Sequence, residues 1–227
     1  MRNIKLTIEY DGTNYLGWQR QKVGNTIQGT LEEAIEVLTN EIVETIGSSR
    51  TDAGVHAKGF VANFKTSSKI PADKYREAIN HKLPDDIVIL KSEEVDEEFH
   101  ARYNAMGKTY SYTILNREVP SAISRNYVYH VKRRLDTEAM REACKYFIGT
   151  HDFASFKTSG SSVKTTVRTI SELYLEEQED TIKIYVTGDG FLYNMVRIIV
   201  GTLIMVGFNK IKPNEIENII ICLRSNI

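Results

Sequence analysis

The sequence predicts an α+β protein made of two similar halves that share a central antiparallel sheet with helices packed on it, and three observations carry that expectation. Residues 1–95 run strand, helix, strand, strand, helix, strand, the order of a split βαβ or ferredoxin-like unit. From residue 108 a second, less regular pass begins through the same order. No low-complexity or Pro/Gly-rich linker separates the passes, which favours one continuous sheet over two tethered domains. The expected halves are residues 1–105 and 106–227.

In "NIKLTIEYDG" the residues Ile4, Leu6, Ile8 and Tyr10 alternate with Lys5, Thr7 and Glu9, the period of a half-buried strand stopped by Asp-Gly. "TIQGTLEEAIEVL" places Ile27, Leu31, Ala34, Ile35 and Leu38 on one helical face. "IVETIGSS" and "GFVANFKT" read as two strands. Pro71 suits a first helical turn, and Tyr75, Ala78, Ile79 and Leu83 continue that helix to "LPDD". "DIVILKSEEV" is the next strand. In the second pass, "KTYSYTIL" and "NYVYHV" read as strands and "DTEAMREACKYFIG" as a helix stopped by Gly149. "HDFASF" reads as a helix-terminating turn with two core phenylalanines, and "RTISELYLEEQ" and "TIKIYVTG" as a hairpin. The apolar helix "FLYNMVRIIVGTLIMVG" and a terminal helix "KPNEIENIIICLR" complete it, with no final strand. "KTSGSSVKTTV", small, polar and basic, reads as a mobile loop.

With 227 residues and 41% hydrophobic content the chain can bury a full core. It lacks a signal-peptide pattern and any apolar run long enough to span a bilayer, so the expectation is a cytoplasmic protein without a membrane partner. Cys144 and Cys222 lie far apart, giving neither a disulfide framework nor a zinc knuckle. The five histidines, His56, His81, His100, His130 and His151, show no metal-ligand spacing. A net charge of −1 makes no global case for nucleic acid, although base collects at Lys132 to Arg134 and across Lys157, Lys164 and Arg168. Acid collects in "EEVDEE" and "EEQED", runs that read as solvated faces.

The chemistry-bearing stretch is "SSRTDAGVHA", residues 48–57, which sets Asp52 on a tight turn between two predicted strands. Asp-Ala-Gly is ordinary turn chemistry, but Arg50 and His56 bracket the turn without being needed to form it. A carboxylate in a partly dry site needs a nearby cation to stay ionised. The candidate is Arg197, in the apolar run "NMVRIIVG", expected to face the interior or a cleft floor; the alternative is that it snorkels to the surface. Tyr110 and Tyr112 alternate onto one face of a strand, either as cross-strand packing or as a stacking platform for a base. No Gly-rich phosphate loop, nucleophile elbow or paired-carboxylate motif is present, which leaves chemistry that one carboxylate can do.

Taken together, "YDGTNYLGWQRQ", "TIQGTLEEA", "RTDAGVHA", "FHAR", "KTYSYTILN", "HDFASF", "RTI" and "GFLYNMVRIIVGTL" resemble the tRNA pseudouridine synthase A family, in that family's order and over almost the whole chain. The resemblance implies the pseudouridine synthase fold and conversion of uridine to pseudouridine in the anticodon stem-loop of tRNA, at about positions 38–40, with the base flipped from its stack. It assigns the catalytic aspartate to Asp52, the base-stacking tyrosine to Tyr110 and the basic partner to Arg197. Arg50, His56, Lys108, Lys157, Lys164 and Arg168 become candidate substrate contacts. It also implies a homodimer that uses no cofactor and no metal. The family pattern continues past "LRSNI" into one more strand, matching the strand absent from the second pass. Two other readings compete: a truncated or catalytically impaired tRNA-binding paralogue, and an assembly module pairing through an open sheet edge. The combination of Asp52, Tyr110 and Arg197 favours the enzyme, because a pure binder has no use for it.

Overall fold

In the computed structural model, residues 1–158 and 164–221 are described, and the chain forms two compact units, Met1–Ala105 and Met106–Ile227. The first unit contains β1 (Arg2–Tyr10), α1 (Ile27–Thr39), β2 (Ile46–Gly47), β3 (Ala57–Thr66), α2 (Tyr75–Asn80) and β4 (Ile87–Val95). Its sheet has the order β2-β3-β1-β4 with every neighbouring pair antiparallel. The even-numbered residues of β1, Ile4, Leu6, Ile8 and Tyr10, share one core with Ile27, Leu31 and Ile35 of α1 and with Tyr75 and Ile79 of α2. Both helices therefore cover the same face, as the strand–helix order predicts. α1 starts where the Thr26 side chain accepts the Gly29 N–H and stops at Asn40, which adopts the left-handed conformation.

The second unit contains β5 (Lys108–Leu115), β6 (Tyr129–His130), α3 (Thr137–Cys144), β7 (Gly149–Asp152), β8 (Val167–Gln178), β9 (Thr181–Gly188), α4 (Met195–Gly207) and α5 (Glu215–Ile221). Its sheet order is β6-β5-β9-β8-β7, antiparallel except for β5 with β6. Ile114, Leu173, Ile184 and Val186 of the sheet meet Met140 and Cys144 of α3 and Ile199 and Leu203 of α4 in its core. Burial pushes the Cys144 thiol up to about 12, so it stays protonated as a small apolar side chain. Cys222, the terminal "LRSNI" with the expectation about a final strand, and the middle of the "KTSGSSVKTTV" loop fall outside the described residues.

Several expected boundaries shift for physical reasons. "IVETIGSS" contributes only Ile46 and Gly47 to the sheet, because side chains replace ladder bonds around it. Thr45 N–H donates to Glu32 Oε1 at 2.9 Å, and the Glu41 carboxylate accepts from Thr66 Oγ1 at 2.5 Å and Ser67 N–H at 3.1 Å. "NYVYHV" likewise shrinks to two residues, since Asn116 Nδ2 donates to the carbonyls of Val131 and Arg133, both at 2.8 Å. His151 and Asp152, expected in a turn, belong instead to β7 at the sheet edge. Pro71 precedes a 3₁₀ turn over Ala72–Lys74 rather than opening α2 directly.

Phe153 and Phe156 of "HDFASF" are fully buried, each in edge-on contact with an aromatic neighbour, at 5.3 Å for Phe147 with Phe156 and 6.0 Å for Phe153 with Phe156. Truncating Phe153 leaves a void that this cluster cannot close. Phe153→Ala is expected to destabilise the second unit by about 3–5 kcal/mol. A urea midpoint equal to wild type would contradict the packing.

Candidate active site

The turn carrying Asp52 is built from its own sequence and held by its neighbour. The Asp52 carbonyl accepts the Val55 N–H at 3.2 Å, closing a β-turn over Ala53 and Gly54. Gly54 has φ +75°, the value a type II turn needs at its third position, which is why glycine follows Asp-Ala. Asp52 and Arg50 are exposed, and no ion pair within the first unit engages either side chain.

The bracing comes from residues 11–21. Trp18 N–H donates to Thr51 O at 3.1 Å, and Gly54 N–H donates to Tyr15 O at 3.2 Å. Tyr10 and Thr51 join their hydroxyls at 2.9 Å. Gly17, at φ +93°, lies so close that a Cβ there would stand 2.3 Å from Thr51 O and 3.0 Å from the Asp52 carbonyl carbon. The bracing loop is itself anchored in the core: Trp18 stacks on Phe60 at 4.1 Å, and Tyr15 donates to Asp86 Oδ1 at 2.6 Å. Burial, and then that bond, raise the Tyr15 hydroxyl well above its ordinary range.

His56 closes the far end of the turn. Its Nδ1 lies 3.1 Å from the Gly12 N–H and 2.9 Å from Asp11 Oδ1. Unprotonated, this nitrogen accepts from Gly12; protonated, it donates to Asp11. Beyond it, β1 and β3 fall out of register between Ile8 and Tyr10, where Ile8 faces Phe60 and Tyr10 faces Ala57. This bulge re-aims the chain as it leaves the turn.

In the second unit, Tyr110 and Tyr112 project from β5 to one face and pack against the core cluster with Phe191, Val196 and Ile198. Tyr110 meets the Phe191 ring edge-on at 5.1 Å, and Tyr112 meets Tyr129 at 6.4 Å. Arg197 does not face the interior. Met195, Ile199, Val200, Leu203 and Val206 fill the buried face of α4, while Arg197, Gly201 and Met205 form an exposed stripe spaced four residues apart. An arginine among apolar neighbours therefore avoids the cost of burial. Burial raises the Tyr112 hydroxyl, and the Arg197 charge partly offsets it.

Lys108 opens β5 opposite Gly188. Lys157 is half-buried and Lys164 exposed. Thr158, next to Lys157, is tied to the start of α4 by its N–H to Tyr193 O at 3.3 Å and by Asn194 Nδ2 to its hydroxyl at 3.1 Å. Arg168 Nη1 donates to the carbonyls of Thr165 and Val167, at 3.0 and 2.6 Å. The first unit thus gathers Arg50, Asp52 and His56 on one turn, and the second carries the tyrosines and Arg197 with the basic residues. Among the described residues no three His, Cys, Asp or Glu side chains form a metal-binding group, and no helix is long and apolar enough to cross a membrane.

Sequence reasoning missed the support beneath the site. Gln28 and Glu32 are buried on α1, with Gln28 Nε2 donating to Glu32 Oε1 at 3.0 Å and Arg20 Nη1 to Glu32 Oε2 at 2.9 Å. Gln28 Oε1 accepts the Arg20 N–H at 2.9 Å, so the helix holds the end of the bracing loop. The signal was two polar residues four apart beside an apolar helical face.

The fold is α+β in both units, and the first carries an exposed carboxylate, Asp52, on a braced turn. A family model described as tRNA pseudouridine synthase matches residues 6–104 and 143–224. The chain is similar to tRNA pseudouridine synthase A 2 of Clostridium perfringens, 64% identical over 220 residues that cover 97% of this chain and 90% of that protein. It is 60% identical, with the same coverage, to tRNA pseudouridine synthase A of Clostridium botulinum strain Eklund 17B, and 59% identical to that of Acetivibrio thermocellus. The chain belongs to the tRNA pseudouridine synthase family, whose members are isomerases.

Because the Asp52 turn rests on the backbone of Gly17, Gly17→Ala is expected to destabilise the first unit by about 2–4 kcal/mol, from a left-handed alanine and a backbone overlap together. Gly59→Ala, where an added Cβ meets nothing within 4 Å, serves as the control and should leave the unfolding midpoint unchanged. Equal midpoints for the two variants would show that the loop does not brace the turn.

Proposed function

We propose that this protein converts uridine to pseudouridine in the anticodon stem-loop of tRNA, at about positions 38–40, with Asp52 as its catalytic carboxylate. The observation that carries the reading is Asp52 itself: an exposed acid in the "RTDAGVHA" motif, fixed through its backbone and uncommitted within its own unit. The reaction breaks the N1–C1′ bond, turns the uracil and joins C5 to C1′. The C5 proton is lost and N1 gains one, so nothing is added or removed overall. One carboxylate suffices, because the base is retained rather than replaced by water. Asp52 starts the reaction by attack at C1′, by attack at C6, or by removing a ribose proton; the proposal is common to all three.

The remaining residues follow from their chemistry. Tyr110, its ring already set edge-on to Phe191, stacks on the flipped uracil and assists the loss of the C5 proton. Arg197, exposed on α4, is the basic residue that the resemblance to the family assigns as the partner of Asp52. Arg50, His56, Lys108, Lys157, Lys164 and Arg168 hold phosphates and ribose. The reading gives no step to a metal or cofactor. It takes the protein to be cytoplasmic and to work as a homodimer, as its resemblance to the family implies.

Asp52→Asn is expected to abolish pseudouridine formation, mapped on unmodified tRNA, while leaving folding and tRNA binding intact. Arg197→Met should fall nearly as far, and Arg197→Lys should recover part of the loss by keeping the charge without the two-pronged hold. Turnover by Asp52→Asn within about tenfold of wild type, a barrier change near 1.4 kcal/mol, would remove Asp52 from the mechanism.

A further inference from the structure

The motif "FHAR" has no part in the chemistry above, yet the first unit commits two buried asparagines to it. Asn3 on β1 and Asn63 on β3 are each 1% exposed, on the sheet face opposite the helices. Asn3 Nδ2 donates to the carbonyls of Asp96 and Phe99, both at 2.9 Å. Asn63 Nδ2 donates to Asn3 Oδ1 at 2.9 Å, and Asn63 Oδ1 accepts the Ala101 N–H at 2.9 Å. Apolar side chains would cover this face as well; what the amides add is a fixed path for the backbone of residues 96–101.

That path delivers a tight turn with a defined surface. Tyr103 and Asn104 N–H groups donate to His100 O at 3.0 and 2.9 Å, and His100 N–H donates to Asn104 Oδ1 at 2.7 Å. The Tyr103 ring stacks on the His100 imidazole at 4.1 Å with 29° between the planes, and Tyr103 is 78% exposed. Arg102 beside it is exposed, and no carboxylate of the first unit pairs with it. Three of the five acids in the run just before the turn have basic partners, and Asp96 and Glu98 form no ion pair among the described residues. Glu93 is held by Lys5 at 2.7 Å and Lys91 at 2.6 Å, Glu94 by Arg2 at 2.9 Å, and Glu97 lies 3.8 Å from both Lys65 and the N-terminal amine.

A free guanidinium next to a braced, exposed aromatic face is the pair of groups that takes up a nucleotide, one on the phosphate and one on the base. We propose that the turn over residues 100–104 is an RNA contact, with Arg102 on a phosphate and Tyr103 as platform for an unstacked base of the tRNA. The proposal rests on tRNA being the substrate.

The test is tRNA binding by the full chain across a salt series, with sedimentation of each protein alongside. Arg102→Gln is expected to weaken binding about fivefold or more and to lower the slope of log affinity against log salt by about 0.7–0.9, the loss of one phosphate contact. Tyr103→Leu should weaken binding about tenfold without changing the slope, and Tyr103→Phe should restore it. Variants that bind with wild-type affinity and slope would overturn the proposal and leave the tRNA reading standing. A change in oligomeric state with unchanged affinity would overturn it too, in favour of a surface between copies of this chain. A wild-type protein that does not bind tRNA would overturn both.

Discussion

The hydrogen bonds from Trp18 to Thr51 and from Gly54 to Tyr15 are the constraint on which the site depends. A ten-residue run of mostly small or polar side chains cannot bury itself, so the 48–57 turn has no core of its own to hold it. Backbone-to-backbone bonds with a second loop replace that core, and they demand contact distances that only glycine at position 17 allows. The loop transmits rigidity because its own large side chains, Tyr15 and Trp18, are buried among Phe60 and the ends of the sheet. The backbone at Asp52 is therefore held while its carboxylate stays exposed, the condition the proposed catalytic role requires.

The first unit applies the same device twice: a buried polar side chain fixes a segment that carries exposed functional groups. Glu32 and Gln28 fix the end of the bracing loop, and Asn3 with Asn63 fix the 96–101 segment, while the half-buried His56 ties the turn to the end of β1. Each group is satisfied on several sides, which keeps the cost of burying it low. In the second unit the work falls to apolar packing instead. Tyr110 and Tyr112 are braced by Phe191 and by α4, whose buried stripe leaves Arg197 on the other side.

Much of this was legible from the sequence, and the exceptions have a common cause. Alternation over Ile4 to Tyr10 and the 3.6-residue spacing of Ile27, Leu31 and Ile35 are long patterns, and both elements form where the pattern lies. The strands expected over "IVETIGSS" and "NYVYHV" shrank because Glu32, Glu41 and Asn116 supply bonds that a ladder would otherwise make. Such side-chain substitutions depend on residues distant in the chain, and no local period records them. Arg197 was left between an interior or cleft-floor position and the surface for a related reason: a helix apolar by composition still has one exposed stripe, and only the phase of Met195, Ile199 and Leu203 shows that position 197 lies on it. The Asp52 turn was visible as a motif, but its brace was not, since a loop crowded with aromatics reads equally well as packing for its own sake.

The claim that the brace fixes the Asp52 turn is tested most directly by native-state hydrogen exchange at the Trp18 and Gly54 amides. Both donate across the loop–turn contact, so both should be protected to nearly the same free energy as amides in the middle of β1. Exchange at these two amides as fast as in an unprotected surface loop, with β1 still protected, would contradict the account.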